Sequence, residues 1–203
     1  MIVKRLESKG FKQVFQAINE VLTLMKRYNV TVELVKSDGE DSIPAALQAA
    51  AGPPHLLLQH DGHIDERIRR LKEIVRSITV SLRYRLGPTL TQRCVYYGAY
   101  TLNLIPFRDQ KGVSPRELFT GTKPNFPTHL PIAFGAFAQV KEKTKNDMTP
   151  MTVTAIALLP TGDGGVKFAS LLTGRVLHRS QFLEIRDIPY EWIVIVNKLQ
   201  ESE

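Results

Sequence analysis

The side chains best suited to catalysis in this sequence are three carboxylates, Asp38, Asp65 and Glu66. Asp38 follows a run of β-branched residues, whereas Asp65 and Glu66 open a long amphipathic segment. Mg²⁺ and Mn²⁺ prefer carboxylate oxygens as ligands. A metal pair held by carboxylates stabilises both oxygens of a phosphodiester displacement. If the chain brings these groups together, Asp38 and either Asp65 or Glu66 would be the metal ligands.

Each carboxylate also has a structural interpretation that involves no chemistry. Ser37-Asp38-Gly39 is typical of a polar turn. Acidic residues in the first turn of a helix stabilise it by complementing the helix dipole, which accounts for Asp65 and Glu66. The sequence leaves both interpretations open.

Five basic residues follow the carboxylates within the same amphipathic segment. They are Arg67, Arg69, Arg70, Lys72 and Arg76. Arg69, Lys72 and Arg76 lie four, seven and eleven positions after Asp65, so a helix would place all four on one face. This face is either an ordinary solvated surface or a surface that lies along a phosphate backbone, with its carboxylate near the scissile phosphate.

Composition favours a polyanion partner and a folded intracellular protein. The chain has 203 residues, of which 43% are hydrophobic, and a formal charge of +7. A basic protein gains affinity for nucleic acid through phosphate contacts and counterion release. The single cysteine, Cys94, excludes an intrachain disulfide and is predicted to pack in a buried helix. His60 and His63 are close enough to share zinc, but an ordinary polar loop is the favoured interpretation because no cysteine pair accompanies them.

Hydrophobic periodicity predicts helices in the first part of the chain and short strands in the last part. The predicted helices cover residues 11–28, 43–51, 64–82 and 90–104, the last with Thr89 as its N-cap, and a short helix runs from N-cap Ser114 through Pro115 and Glu117 to Gly121. The predicted strands cover residues 30–35, 55–59, 136–140, 152–159, 166–172 and 175–185, and residues 190–199 form a strand or a short helix. The fold class is therefore α/β in the broad sense (α+β), ending in a small antiparallel barrel or sheet.

The order of several segments resembles copia-type retrotransposon integrases, which are part of a Pol polyprotein of a transposable element. The segment around Asp38 is similar to the strand that carries the family's second catalytic aspartate. The similar segments cover residues 32–40, 62–73, 100–106, 114–124, 134–135 and 174–182, and the resemblance runs through most of residues 12 to 187.

The resemblance implies DNA integration by metal-dependent cleavage and strand transfer in an intact parent protein. It implies an RNase H-like core at residues 1–124, a small β-rich, SH3-like domain at 132–187 and a tail at 188–203. Asp38 would be the second ligand for Mg²⁺ or Mn²⁺, and the third would be Asp65 by position or Glu66 by side chain. The family also implies DNA ends and target DNA as partners, homo-oligomers, and a nuclear or cytoplasmic location.

Two departures from the family pattern argue against catalysis by this chain alone. No aspartate precedes Asp38, so the first catalytic aspartate is missing. The 26 residues between Asp38 and Asp65 also make a shorter connection than the family usually has. We therefore expect an integrase fragment with little or no strand-transfer activity. The alternatives are a non-catalytic nucleic-acid-binding module derived from an integrase, and a structural or protein-binding domain.

Overall fold

The protein is described here by a computed structural model that covers residues 1–37, 42–51, 55–58, 62–107, 112–142, 148, 150–186 and 188–201. Asp38 and His60 therefore lie outside the described residues. The helices are α1 Phe11–Arg27, α2 Ser42–Ala51, α3 Gly62–Ser81, α4 Pro88–Leu104, α5 Pro115–Thr120, α6 Phe126–His129 and α7 Tyr190–Glu201. The strands are β1 Leu34–Ser37, β2 His55–Leu58, β3 Phe137–Lys141, β4 Thr152–Pro160, β5 Val166–Ser170, β6 Val176–Arg179 and β7 Phe182–Ile185. The predicted mixture of helices and antiparallel strands is confirmed.

The sequence predicted the ends of α5 correctly, because a polar cap and a glycine define them, but it did not predict the N-cap of α4. The Ser114 hydroxyl accepts a hydrogen bond from the Glu117 amide at 3.1 Å, as the predicted cap requires. Gly121 ends α5 with a positive φ of 70°. The prediction that Thr89 caps α4 is wrong, because the helix begins at Pro88 with Gly87 as its N-cap. Proline fits the first helical position, where its missing N–H costs no hydrogen bond.

The apolar stripe predicted for α3 is buried only in its second half. Leu71 is buried, and Ile74 and Val75 pack beside it against α4. Ile64 and Ile68 belong to the same stripe but are 47% and 38% exposed. Helical periodicity therefore predicted the element correctly, whereas the extent of its buried face depends on where α4 covers it.

Two separate sheets organise the strands. β1 and β2 pair in parallel, from Leu34 opposite His55 to Ser37 opposite Leu58. The strand predicted at residues 30–35 begins later, at Leu34, and ends at Ser37. The second sheet is antiparallel with the order β6-β5-β4-β3-β7. The strand predicted at residues 175–185 is divided into β6 and β7, which form opposite edges of that sheet.

The antiparallel sheet must be strongly curled. Phe182 begins β7 only three residues after Arg179 ends β6, which limits their Cα separation to about 11 Å. In a flat five-stranded sheet, four strand spacings would separate the two edges by about 19 Å. The rings of Phe168 in β5 and Phe182 in β7 also lie 5.2 Å apart, although these strands are not neighbours in the sheet.

Hydrophobic contacts connect the helices to this sheet. Cys94 of α4 is fully buried and shares a cluster with Phe134 and Leu158, so its predicted packing role is confirmed. Residues 190–199, predicted as a strand or a helix, belong to α7, whose Val196 packs with Phe137. The division into domains at 1–124 and 132–187 remains a prediction, and these contacts cross it. Among the described helices, none has the length and hydrophobicity needed to cross a bilayer.

Candidate nucleic-acid interface

The start of α3 contains the two described carboxylates of the predicted metal site, Asp65 in the first turn and Glu66 directly after it. Glu66 is half-buried, and one of its carboxylate oxygens accepts hydrogen bonds from Arg70 Nε at 3.1 Å and from Arg70 Nη2 at 2.6 Å. Asp65 is exposed at the same end of the helix. An i,i+4 ion pair stabilises a helix modestly. Glu66 therefore has a structural role in the described part of the chain.

The predicted metal site lies only partly within the described residues. Within that part of the chain, no group of three or more His, Cys, Asp or Glu side chains is placed to hold a metal ion. Asp38, the other predicted ligand, lies outside it, so the predicted pairing of Asp38 with Asp65 or Glu66 is not described. His63 is exposed on α3, and its predicted zinc partner His60 also lies outside.

Two arginines of α3 are held against an aromatic ring. The guanidinium carbon of Arg67 lies 4.2 Å from the centroid of the Phe107 ring, and that of Arg70 lies 5.5 Å from it. Both distances are within the range of attractive cation–π contacts. Phe107 follows the end of α4, so this ring couples the two helices and fixes the arginines at the start of α3. Phe107 was not predicted from the sequence, in which its one signal is its place after the helix-ending Pro106.

The predicted row of basic residues is exposed on the outer face of α3. Arg69, Lys72 and Arg76 all point to solvent, as the helical spacing indicates. Arg69 Nε lies 4.0 Å from Glu73 Oε1, a loose contact between exposed groups. No ion pair of Lys72 or Arg76 occurs among the described side chains. With Asp65 and Glu73 included, this face carries three positive and two negative charges, so it is less basic than the arginines alone suggested.

Further basic residues continue beyond the end of α3. Arg83 and Arg85 are exposed in the connection between α3 and α4. They line a groove of about 570 Å³, and Asn197 of α7 lines the same groove. The Arg85 backbone N–H lies 3.4 Å from Asn197 Oδ1 and donates to it. These arginines were not singled out from the sequence, although the Arg83-Tyr84-Arg85 run directly follows the basic helix. We refer to Arg67, Arg69, Arg70, Lys72 and Arg76 as the α3 basic surface.

The antiparallel sheet contributes a smaller polar surface. Lys167 of β5 pairs with His178 of β6 in register, and both side chains are exposed. Arg179 is fixed by hydrogen bonds from its guanidinium to the carbonyl oxygens of Lys141 and His178, the second at 2.7 Å. These groups can meet phosphates, but they are spread over two strands rather than aligned along one helix.

The turn between β4 and β5 is ordered by Asp163. The Thr161 hydroxyl and the Gly165 amide donate to its carboxylate, and these hydrogen bonds hold the pKa of Asp163 below its usual range. Thr161 Oγ1 also lies 3.1 Å from Nε2 of His178. The arrangement resembles a proton relay in its residue types. Because all these polar groups satisfy one another within the turn, its simplest role is to fix the turn.

The comparisons with known proteins leave the family open: no protein-family model and no curated protein matches this chain. The similarity to copia-type integrases therefore rests on the sequence motifs, and the α3 basic surface is the strongest candidate site within the described residues.

Proposed function

We propose that this chain is part of a copia-type retrotransposon integrase and that its α3 basic surface binds DNA without catalysing strand transfer. The motif order around Asp38, α3, α5 and β6 supports the family, and the placement of the arginines supports the role. The observation that carries the proposal is the pair Arg67 and Arg70 held on Phe107 beside the exposed row of Arg69, Lys72 and Arg76.

Contact with an aromatic ring prepares an arginine for phosphate binding. A guanidinium stacked on a ring keeps its N–H groups directed outward in the plane of the group, where they match phosphate oxygens. Fewer side-chain conformations are then given up when the phosphate binds. Arg67 has no ion pair among the described residues, whereas Arg70 uses two donors on Glu66. Arg67 is therefore the better phosphate ligand of the two.

The exposed row has the length needed to follow a nucleic-acid strand. Arg69 and Arg76 are seven residues apart on α3, which corresponds to about 10 Å along a helix. B-DNA rises by about 3.4 Å per base pair along the duplex axis, so a row aligned with that axis spans roughly three base pairs. Lys72 lies between the two arginines on the same face. Electrostatic contacts of this kind position a protein on DNA without reading its sequence.

The remaining features of the family are proposals of the same kind. The curled antiparallel sheet is compatible with the small SH3-like barrel that the resemblance implies. In the intact parent, Asp38 with Asp65 or Glu66 would hold the Mg²⁺ or Mn²⁺ that supplies the chemistry of strand transfer. The chain would act with further copies of itself on DNA, in the nucleus or the cytoplasm.

The proposal is tested by the salt dependence of DNA binding. Binding of the full chain to a fluorescent DNA duplex is measured by anisotropy over a series of salt concentrations. The triple variant Arg69→Gln, Lys72→Gln and Arg76→Gln should bind more weakly at low salt. Its plot of log affinity against log salt should be shallower by up to about 0.9 for each phosphate that the variant no longer neutralises.

A matched triple variant on another helix controls for net charge. Lys12→Gln, Lys26→Gln and Arg27→Gln remove the same charge from exposed positions of α1. This control should keep the salt slope of the unmodified chain. Equal reductions of affinity in the two triple variants would contradict a localised surface. If the unmodified chain shows no salt-dependent binding, the proposal fails and a structural or protein-binding domain is favoured.

A further inference from the structure

The exposed side of α3 continues beyond Arg76, the last residue of the α3 basic surface. Helical hydrogen bonding persists to Leu82, whose backbone N–H donates to the Ile78 carbonyl at 3.2 Å. Val80 is 86% exposed, and Arg83 is the next basic residue in the sequence and is also exposed. Positions 76, 80 and 83 lie on one side of a helix, because steps of four and three residues return to the same face. Arg83 therefore extends the row of basic residues along α3.

The groove at the end of α3 is basic without any opposing acidic residue in its lining. Arg83 and Arg85 line it together with Asn197 of α7, and the other lining side chains are uncharged. On the outer face of α3, in contrast, Asp65 and Glu73 offset part of the positive charge. Arg83 forms no ion pair within the described part of the chain. The groove is therefore a suitable place for an anionic group.

The two arginines of the groove belong to a backbone segment that the core holds in place. Tyr84, which lies between them in the sequence, is buried, and its hydroxyl donates to the Gly135 carbonyl at 3.0 Å. Its ring meets the Phe137 ring edge to face, with centroids 5.8 Å apart. The Arg85 backbone N–H donates to Asn197 Oδ1 at 3.4 Å. Because this backbone is anchored, less conformational freedom is lost when the guanidinium groups bind an anion.

We propose that this groove is a second binding site for the DNA backbone and contacts the same duplex as the α3 basic surface, a proposal that rests on the DNA binding proposed for α3. The guanidinium groups of Arg83 and Arg85 match phosphate oxygens in geometry and charge. Arg69 and Arg83 are fourteen positions apart in the sequence. That separation corresponds to about 21 Å along the direction of α3, or roughly six base pairs of B-DNA. Such phosphate contacts add affinity without reading the base sequence.

The double variant Arg83→Gln with Arg85→Gln tests the groove in the full chain. Anisotropy of a fluorescent duplex, longer than the roughly six base pairs of the proposed contact, is measured over a series of salt concentrations. The double variant should bind more weakly at low salt. Its plot of log affinity against log salt should be shallower by up to about 0.9 for each phosphate lost, or about 1.8 for two. The matched control Lys12→Gln with Arg27→Gln removes the same charge from exposed positions of α1 and should keep the slope.

A nearly isosteric substitution tests the groove independently. Asn197→Asp keeps an oxygen to accept the hydrogen bond from the Arg85 N–H but places a negative charge in the groove. It should reduce DNA affinity severalfold at low salt. Asn19→Asp makes the same change at a half-buried position of α1 and should reduce affinity less. Circular dichroism checks the fold of each variant, and Asn197→Asp decides the question if the double variant does not fold.

The outcomes separate the groove from the α3 basic surface. An unchanged salt slope in the folded double variant would overturn the groove as a DNA site, while weaker binding by the triple variant of Arg69, Lys72 and Arg76 would still support the proposed function. A reduced slope in the double variant without any reduction in the triple variant would contradict a shared duplex. Combining all five substitutions should lower the slope by the sum of the two effects, because both surfaces neutralise phosphates of one duplex. If the unmodified chain shows no salt-dependent binding, both proposals fail.

Discussion

The Arg70 guanidinium donates two hydrogen bonds to one carboxylate oxygen of Glu66, at 3.1 Å from Nε and 2.6 Å from Nη2. The same guanidinium lies over the ring of Phe107. Glu66 has the side chain that the family resemblance favours for the third ligand, but its geometry is that of an ion pair within a helix. Asp65, which occupies the expected position, is exposed. The structure therefore gives these adjacent carboxylates different environments.

Glu66→Gln should lower the free energy of unfolding by no more than about 0.5 kcal/mol, because the Glu66–Arg70 pair is partly exposed and screened by solvent. DNA affinity should stay the same or rise, because the substitution removes a negative charge and releases Arg70. Urea unfolding and DNA anisotropy measure the two effects.

The control for Glu66→Gln is Glu184→Gln, which removes one exposed carboxylate from the sheet. It should leave both stability and DNA affinity nearly unchanged. A clear reduction of DNA affinity in Glu66→Gln alone would show that Glu66 itself takes part in binding, directly or through a metal ion.

Sequence reasoning predicted most of the elements, because their signals are local. The helical spacing of α3 and the Ser114 cap each depend on residues a few positions apart. The predictions that failed depended on distant partners. Ile64 and Ile68 are exposed because α4 packs only against the later turns of α3.

Only the part of the candidate site that depends on local spacing was predicted from the sequence. The spacing of Arg69, Lys72 and Arg76 on one face follows from helix geometry alone. The contact of Arg67 with Phe107 joins α3 to the segment that follows α4, and no periodicity within α3 predicts it.

Gly135→Ala should destabilise the protein far more than Gly121→Ala, although both glycines have positive φ angles, of 78° and 70°. A left-handed conformation costs an alanine about 1–2 kcal/mol at either position. At Gly135, an added Cβ would also lie 2.4 Å from Leu82 Cδ2 and 2.7 Å from Tyr84 Oη, whereas at Gly121 it meets nothing within 4 Å. Thermal and urea unfolding of the two variants measure the difference.

The excess cost at Gly135 should be about 1–3 kcal/mol, the usual range for overpacking a closed core. Tyr84 is buried there, and its hydroxyl donates to the Gly135 carbonyl at 3.0 Å. Equal destabilisation by the two substitutions would mean that Leu82 and Tyr84 move aside at little cost. The contact of Gly135 with these two side chains would then not hold the sheet against the end of α3.

The free energy of unfolding should decrease at alkaline pH because of the buried thiol of Cys94. Burial raises the pKa of its thiol to about 11 from an ordinary value of 9.0. Between these values the unfolded chain releases the thiol proton while the folded chain keeps it. The stability contributed by the protonated thiol is therefore complete below pH 9 and is lost as the pH rises towards 11. Urea unfolding at a series of pH values measures this decline.

The matched variant for this measurement is Cys94→Ala, which removes the thiol but keeps every tyrosine and lysine that titrates in the same range. Its stability should decline less steeply at alkaline pH than that of the unmodified chain. Native Cys94 should also react slowly with iodoacetamide at mildly alkaline pH, and unfolding in urea should accelerate the reaction. Rapid alkylation of the folded protein would contradict the buried position of the thiol.

The full chain should show little or no strand cleavage or strand transfer with Mg²⁺ or Mn²⁺. The integrase resemblance implies a first metal ligand before Asp38, but this chain contains no aspartate there, and Glu66 is engaged by Arg70. A metal pair needs several carboxylates to stabilise the attacking and leaving oxygens together. Labelled duplexes with element-like ends, incubated with each metal and resolved on denaturing gels, measure the activity.

Asp38→Asn and Asp65→Asn distinguish catalysis from binding in the same assay. Both variants should bind DNA at least as tightly as the unmodified chain, because the proposed binding uses phosphate contacts from the α3 basic surface rather than a metal site. Robust metal-dependent cleavage that Asp38→Asn abolishes would contradict this expectation. In that case Asp38 and a carboxylate of α3 would form a working metal site. Loss of cleavage in Asp65→Asn or in Glu66→Gln would then show which of the two residues acts with Asp38.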